Sequence, residues 1–386
     1  TMVYEDRSAQ WKSSIHYYLS KKFSQRHQVR IGWIGSQPGL DFDEVTLDSG
    51  SYRPLRSFQG RTYLSQTYVQ WKYRITDVMV ITPGLHWQHL TLNNNSSIEP
   101  RIGFRWQMNE KHTLSAGYGM HSQLQMYDIY FYETPVGPGK TVLTNKNLGF
   151  SKSHQWVVGH NFAFSRKLRL RTEIYLQKLY NIPVRNDGSG SFSVLNLGSE
   201  FNGLPDVDSL ANNGKGTNYG LEITLERFFN KGFYYLGTLS LFRSEYVAAD
   251  DIKRSSAYDG RYVINLLVGK EFNLGKHKVL SVDARVTRSG GKPYTPLDLQ
   301  ASLNAGGAVF DDSKAYTERF PDYFRTDLNL SFRINAKKVT HEWAFDVQNI
   351  LNSKNILLLN YDSSTNQAFY EYQLGFFPVF QYRMMF

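Results

Sequence analysis

The stretch NYGLEITLERF begins at Asn218 and alternates between polar and apolar residues. The apolar positions are Tyr219, Leu221, Ile223 and Leu225. Successive side chains of an extended strand point to opposite faces, so these four residues would share one face. A helix would instead place its apolar residues three and four positions apart. The stretch therefore predicts a β-strand with one apolar face and one polar face.

The same alternation recurs along most of the chain, for example in FRTDLNLSFRI from Phe324. Segments that show it lie near residues 9–20, 26–36, 60–74, 78–92, 97–107, 112–124, 151–163, 168–182, 217–229, 233–246, 258–271, 278–289, 323–334, 340–350 and 372–386. Many of them have about ten residues or more, which is the length that a tilted strand needs to cross a bilayer. We therefore predict an all-β fold made of about fifteen antiparallel strands.

Connections of two different lengths alternate along most of the chain. Short ones lie near 76, 109, 165 and 230, whereas long ones run over 37–59, 125–150, 183–216, 247–257, 290–322 and 351–371. Outer-membrane barrels have this pattern, with short turns on the periplasmic side and long loops outside. The polar face is also heavily charged, as at Arg325, Asp327 and Arg333, and a wet lumen tolerates such charges. The pattern predicts a transmembrane antiparallel β-barrel rather than a soluble β-sandwich.

The composition excludes several other classes of protein. The chain has 386 residues, a formal net charge of +10, no cysteine and 15% aromatic residues. No stretch approaches the ~18 uninterrupted apolar residues that a membrane-spanning helix needs. The aromatic content disfavours disorder, and the lack of cysteine excludes disulfides and thiolate metal sites. Lysine and arginine are spread over the whole chain without a patch, so no nucleic-acid partner is predicted.

The last residues of the chain, VFQYRMMF, alternate in the same way. Their predicted apolar face carries Phe380, Tyr382, Met384 and Phe386. A last strand that ends on phenylalanine resembles the strand that outer-membrane barrels present to the barrel-assembly machinery. We therefore interpret these four residues as a barrel-assembly signal.

The number of predicted strands is odd, and this has a consequence for the architecture. In a row of fifteen antiparallel strands, the first and the last run in the same direction. Bacterial single-chain barrels have even strand numbers, so these two strands would not close a barrel on their own. We expect further strands upstream, and we interpret residues 1–386 as the C-terminal portion of one larger barrel domain.

Several segments together resemble the barrels of TonB-dependent outer-membrane receptors. They are EPRIGFRWQMNEKHTLSAGYGMHSQ from Glu99, NLGFSKSHQWVVGHNFAFSRKLRLRTEIYLQKLYNIPV from Asn147, RSGGKPYTPLD from Arg288, FDVQNILN from Phe345, and the terminal Phe386. The resemblance implies a 22-stranded barrel, of which this chain would hold the last fifteen strands. It also implies an N-terminal plug domain in the lumen and uptake driven by the inner-membrane TonB complex. Neither the plug nor the motif that TonB binds is visible here, so both are expected upstream.

The resemblance predicts a receptor in the outer membrane of a Gram-negative cell that imports a scarce nutrient. An iron chelate, a glycan, a peptide and cobalamin all remain open as substrates. The alternative is a structural or secretion-associated barrel scaffold that binds surface partners, and a passive porin is a third reading. Expected partners are the TonB complex, outer-membrane lipid, the barrel-assembly machinery and, for capped external loops, a surface lipoprotein.

The sequence contains no catalytic constellation with usable spacing. It lacks a Gly-Ser nucleophile elbow, an HExxH motif and a phosphate-binding loop, so we predict neither an enzyme nor a cofactor. His86 and His89 would point to opposite faces of one strand, where two ligands cannot converge on one metal. The acidic segment DFDE at 41–44 is interpreted as solvated loop charge, and no metal site is predicted.

Polar residues of the lumen and of the loops are the candidates for substrate contact. The predicted lumenal contacts are Arg101, Arg105, Gln107 and Tyr118, together with the loops 183–216 and 290–322. Three tyrosines are placed at the external rim, namely Tyr130, Tyr132 and Tyr294. Their rings would stack a sugar or a flat siderophore, or would simply pack within the loops.

Overall fold

The computed structural model describes residues 4–48, 50–137, 139–198 and 207–386. In these residues, eighteen hydrogen-bonded segments form one antiparallel sheet. Two of them continue a neighbouring segment and one is a short addition, so the wall consists of fifteen long strands. They are β1 (Tyr4–Asp6, continued by Ala9–Lys22), β2 (His27–Asp48), β3 (Ser51–Arg61, continued by Leu64–Arg74), β4 (Met79–Leu90), β5 (Asn95–Gln107), β6 (His112–Gln123), β7 (Ser151–Ser165), β8 (Leu168–Arg185), β9 (Leu210–Asn230), β10 (Phe233–Val247), β11 (Tyr262–Asn273), β12 (Lys278–Ser289), β13 (Tyr323–Asn335), β14 (Thr340–Gln348) and β15 (Phe377–Met385).

Each of these strands pairs with the strands next to it in the sequence. Every segment predicted from alternation corresponds to one of them, so the predicted all-β antiparallel fold is confirmed. Within the described residues, neither α-helix (Tyr127–Tyr130 and Leu299–Ala305) is long and apolar enough to cross a membrane.

One predicted long loop was wrong. Residues 37–59 are mostly strand, because β2 runs on to Asp48 and β3 begins at Ser51. The alternation continues through this region, and Phe42 pairs directly with Phe58 on the adjacent strand. The acidic segment at 41–44 therefore lies in β2 and not in a loop.

The sheet has one apolar face and one polar face. Residues that pair directly in an antiparallel sheet lie on the same face. The strand register therefore shows on which face of the wall each paired side chain lies. One such row joins Trp156, Leu176 and Tyr219, and all three side chains are exposed. We call the face that carries this row the outer face and the opposite face the inner face.

The inner face carries ion pairs that join neighbouring strands. Arg169 lies 2.5 Å from Glu226, and Arg285 lies 2.5 Å from Asp327. Arg333 reaches Glu271 at 3.2 Å. Charges of opposite sign on facing strands stabilise a sheet, which is how a polar wall can carry so many of them.

Apolar residues form a core at the end of the sheet that carries the long loops. The segment after β6 folds onto the inner face there, and the rings of Tyr130 and Phe131 are almost fully buried. They pack with Leu40 and Phe42 of β2 and with Leu90 of β4. The core thus lies between the wall and a loop, since the described sheet has no second layer to pack against.

Both edges of the described sheet are open. In the described residues, β1 pairs only with β2, and β15 pairs only with β14. Every residue of the segment Ala9–Lys22 is exposed. Because fifteen strands alternate in direction, β1 and β15 run the same way and do not form an antiparallel pair with each other.

Candidate functional site

Arg101, Arg105 and Gln107 lie on the inner face of β5. They pair with Gly119, Ser115 and Thr113 of β6, respectively. These partners are small. Arg101 donates to Glu99 of the same strand, and Gln107 accepts a hydrogen bond from Thr113. The structure thus brings three of the predicted contact residues to the same face of one strand, and their contact with a substrate stays a prediction.

Tyr118 does not join this group, and its predicted lumenal position was wrong. It pairs with Ile102 and with Trp156, which places it on the outer face. Its hydroxyl lies 2.9 Å from Nδ1 of His154, also on that face. The two glycines that flank Tyr118 in the sequence occupy the inner face instead.

Arg101 belongs to a polar row that crosses ten strands of the inner face. Direct pairing joins its members from β1 to β10. We call it the inner polar row: Ser20, Arg30, Gln70, Gly84, Arg101, Gly119, Gln155, Gln177, Asn218 and Ser244. The row alternates charged, amide and hydroxyl groups with glycine, so it offers both donors and acceptors to a ligand.

A buried carboxylate supports the centre of this row. The side chain of Glu99 is only 1% exposed, and Arg101 donates to it at 2.5 Å. The Nδ1 atom of His86 lies 3.1 Å from the same carboxylate, and Gln88 donates to it at 3.0 Å. The backbone N–H of Ser122 donates at 3.1 Å. The pairing of β5 with β6 ends at Arg101. Beyond that point the Glu99 carboxylate, instead of a backbone carbonyl of β5, accepts the hydrogen bond from the backbone N–H of Ser122.

Sequence reasoning missed this role of Glu99, although it placed the two nearby histidines on opposite faces. His86 lies beside Glu99 on the inner face, whereas His89 contacts Ser96 on the outer face. The signal in the sequence is that Glu99 is the one acidic residue on β5. In the described part of the chain, no three histidine, aspartate or glutamate side chains come together in a way that could hold a metal ion.

The inner face of the first strands is basic. Arg30, Lys72, Arg74 and Arg105 are exposed there, and none forms an ion pair within the described residues. This differs from the strands after β7, where Arg169 and other inner cations are paired with acidic residues. The inner surface of β2 to β5 therefore has positive charge available for an anion.

A cavity of about 530 Å³ lies where the inner polar row meets the loops. Gln155 and Gln177 of the row line its floor, together with His121 and Gln123 of β6. Leucines of the 183–216 loop cover it. Gly119 leaves room for the His121 ring, because a Cβ at that position would lie 2.6 Å from its Nε2 atom.

A second cavity, of about 630 Å³, lies under the 290–322 loop. Tyr294 lines it and stacks on Phe320, with ring centroids 4.3 Å apart. Burial and a hydrogen bond with Tyr370 raise the pKa of Tyr294 to about 12, so its hydroxyl stays neutral at physiological pH. The other two rim tyrosines, Tyr130 and Tyr132, are buried in loop packing, which is the second of the two alternatives left open for them by the sequence.

The external loops are fastened to one another by a buried carboxylate. Asp259 is fully buried, and Arg319 of the 290–322 loop donates to it at 2.7 Å. Arg243 of β10 donates to the same carboxylate at 3.2 Å. The loops that cover the second cavity are therefore held in place by charge-assisted hydrogen bonds.

Solved structures with the same architecture come from outer-membrane proteins. A mutant of the ferric enterobactin receptor from Pseudomonas aeruginosa is 16% identical with a TM-score of 0.64, covering 92% of this chain and 50% of that one. The ferric-catecholate import receptor Fiu from Escherichia coli K12 is 13% identical with a TM-score of 0.68, covering 98% and 55%. The Escherichia coli outer membrane transporter YddB is 13% identical with a TM-score of 0.63, covering 98% and 53%. The chain spans about half the length of these proteins.

No curated protein matches the chain. A family model described as "TonB dependent receptor-like, beta-barrel" matches residues 2–350, which is most of the sequence. This agrees with the antiparallel wall and with the architecture of the solved structures. The chain therefore belongs to the TonB-dependent receptor-like β-barrel family of the outer membrane.

Proposed function

We propose that the chain forms part of the wall of a receptor that imports an anionic iron chelate, with energy from the TonB complex. The observation that carries the proposal is the basic inner surface of β2 to β5, whose cations Arg30, Lys72, Arg74 and Arg105 have no acidic partner in the described residues. Two of the similar structures are, by their names, a ferric enterobactin receptor and a ferric-catecholate import receptor, which supports an iron chelate as the substrate.

The chemistry of such a chelate suits this surface. A ferric catecholate carries several negative charges on flat rings. Arginine pairs with delocalised oxygen anions through its planar fork and also stacks on aromatic rings. In this reading, Arg30 attracts the chelate to the inner polar row, where Glu99 holds Arg101 in place. The amides of Gln155 and Gln177 orient the chelate at the first cavity.

We also infer that residues 1–386 are the C-terminal portion of a longer barrel domain with a plug upstream. The two open edges that run in the same direction support this, as do the longer chains of the similar structures. The remaining strands would pair with β1 and β15. Contacts with the TonB complex would then belong to the plug, and the exposed Phe380 and Tyr382 of β15 would be offered to the barrel-assembly machinery.

A double substitution on the basic inner surface tests the substrate class. In the full-length protein, Arg30→Gln with Arg105→Gln should raise the half-saturating concentration for uptake of a ferric catecholate by roughly a hundredfold or more, because hydrogen bonds to charged groups contribute about 1.5–3 kcal/mol each. Uptake is measured with radiolabelled iron in a host strain without its own catecholate receptors.

The matched control removes the same charge far from the inner surface. Arg166 and Lys167 are exposed in the short turn between β7 and β8, so Arg166→Gln with Lys167→Gln should leave uptake unchanged. An unchanged half-saturating concentration in the Arg30/Arg105 variant, with normal insertion, would argue against an anionic chelate. A scaffold without transport would show no uptake even in the unsubstituted protein.

A further inference from the structure

Three lysines lie together on the outer face, on three adjacent strands. Lys152 of β7 pairs directly with Tyr180 of β8, and Lys178 lies two residues before Tyr180 on the same face. Lys215 of β9 lies next to Gly216, which pairs with Leu179. Lys215 lies two and four residues before Thr217 and Tyr219, so the three residues share one face of β9. Tyr219 is on the outer face, and therefore Lys215, which pairs with Val247, is on the outer face as well. We call Lys152, Lys178 and Lys215 the outer lysine cluster.

The cluster lies just beyond a row of aromatic residues. Trp156, on the same face of β7, is 41% exposed, and Tyr219 on β9 is 43% exposed. Towards the centre of the sheet the outer face becomes aliphatic, with Ile174 exposed by 62%. Tryptophan and tyrosine gather where a membrane meets water, so the lysines lie at the level of the lipid head groups. They are at the end of the wall that carries the long loops, which is the external end.

The cluster has an excess of positive charge. Lys178 donates to the hydroxyl of Thr217 at 3.1 Å, and none of the three lysines forms an ion pair within the described residues. The nearest acidic residue in these outer rows, Glu245, is already bound by Lys253 at 2.7 Å. The three ammonium groups are therefore available to an external anion.

The spacing of the lysines suits a compact anionic group. Diagonal neighbours on adjacent strands lie about 7–8 Å apart, and each lysine has a long flexible side chain. Lys178 can thus approach the same group as Lys152 and Lys215, which flank it on either side. Lysine ammonium groups bind phosphate as point charges and do not need a fixed bidentate geometry.

We propose that the outer lysine cluster binds the phosphate groups of an anionic lipid in the external leaflet. Continuity with the lipid-facing surface favours this occupant over a protein, because the exposed Trp156 and Ile174 below the cluster can hold the acyl chains of the same molecule. The site is on the opposite face from the inner polar row. It is therefore independent of the proposed import function, and either proposal can fail without the other.

Native mass spectrometry of the full-length protein in a neutral detergent tests this site. The probes are bis-phosphorylated lipid A and the same lipid with its phosphates removed. Lys152→Gln, Lys178→Gln and Lys215→Gln together should weaken binding of lipid A by roughly a hundredfold, given the usual contribution of each cation near an anionic lipid surface. The dephosphorylated lipid should bind the unsubstituted protein as weakly as lipid A binds this variant.

The matched control replaces three exposed lysines of the short turns, Lys276, Lys337 and Lys338, with glutamine and should bind lipid A normally. Equal binding of lipid A by the unsubstituted protein and the cluster variant would overturn the proposal. Equal binding of the two lipids by the unsubstituted protein would also overturn it, since phosphate would then not be recognised. If the triple variant does not insert, Lys178→Gln alone should weaken binding by roughly fivefold, and no weakening would again reject the site.

Discussion

Leu330→Arg should prevent most of the full-length protein from inserting stably into the outer membrane. Leu330 lies near the middle of β13 on the outer face, between Val282 and Phe345, and its side chain is exposed. An arginine on the lipid face near the bilayer midplane costs about 2–4 kcal/mol. Ile223→Arg should act in the same way, because Ile223 lies on the outer face of β9 and pairs with Leu239. The measurement is the urea midpoint of the folded protein in lipid vesicles.

The adjacent residue provides the matched control for this substitution. Asn329 lies on the inner face and pairs with Asp283, so an arginine there meets water and a carboxylate. Asn329→Arg should change the free energy of unfolding by no more than about 0.5 kcal/mol. Equal losses of stability for Leu330→Arg and Asn329→Arg would show that the two faces are assigned incorrectly.

Glu99→Ala should destabilise the wall by about 3 kcal/mol, although Glu99 contacts no lipid. The substitution removes the acceptor of the Ser122 backbone N–H, of Gln88 and of Arg101. Buried donors that lose their partner cost about 1–3 kcal/mol each, and breaking a buried ion pair costs about 3–5 kcal/mol. Glu99→Gln should lose less stability, because the amide keeps one acceptor oxygen. Urea unfolding of the full-length protein measures both changes.

A second inner-face glutamate serves as the control for Glu99. Glu222 is exposed on β9 and pairs directly with Glu173, so two like charges face each other. Glu222→Ala should leave the free energy of unfolding unchanged within about 0.5 kcal/mol or increase it slightly. If Glu99→Ala and Glu222→Ala had the same effect, the network around Glu99 would not hold β5 and β6 together.

The strands of the wall could be predicted because alternation is a local property of the chain. Each strand of this single sheet has one apolar face and one polar face, so a period of two marks both the strand and its facing. Residues 37–59 were predicted wrongly as a loop, because proline, glycine and acidic residues interrupt the apolar pattern there. The pairing of β2 with β3, from Gly39 with Arg61 to Asp48 with Ser51, shows that the strands continue there.

The candidate site could be predicted only in part, because it depends on contacts between distant strands. Arg101 was recognisable as a residue of the polar face of an alternating strand, but Glu99 gains its role only where β5 and β6 separate. Tyr118 was placed on the wrong face because it lies between two glycines. Glycine has no side chain, so these neighbours do not show which face of the strand is polar. Tyr130 and Tyr132 are buried because their loop folds back onto the wall. A local sequence pattern cannot predict such a contact.

The nearest-neighbour order of the sheet has a consequence for how the wall assembles. Each long strand bonds to the strands beside it in the sequence, so the wall can grow as a series of hairpins. Most hairpins then bring together residues that are close in the sequence. The conformational entropy that the chain loses at each step is therefore small. The open edges at β1 and β15 lie at opposite ends of the described chain, so any pairing that completes a ring is the step of highest contact order. We expect the hairpins to form first and the strand pairing that completes the ring to form last.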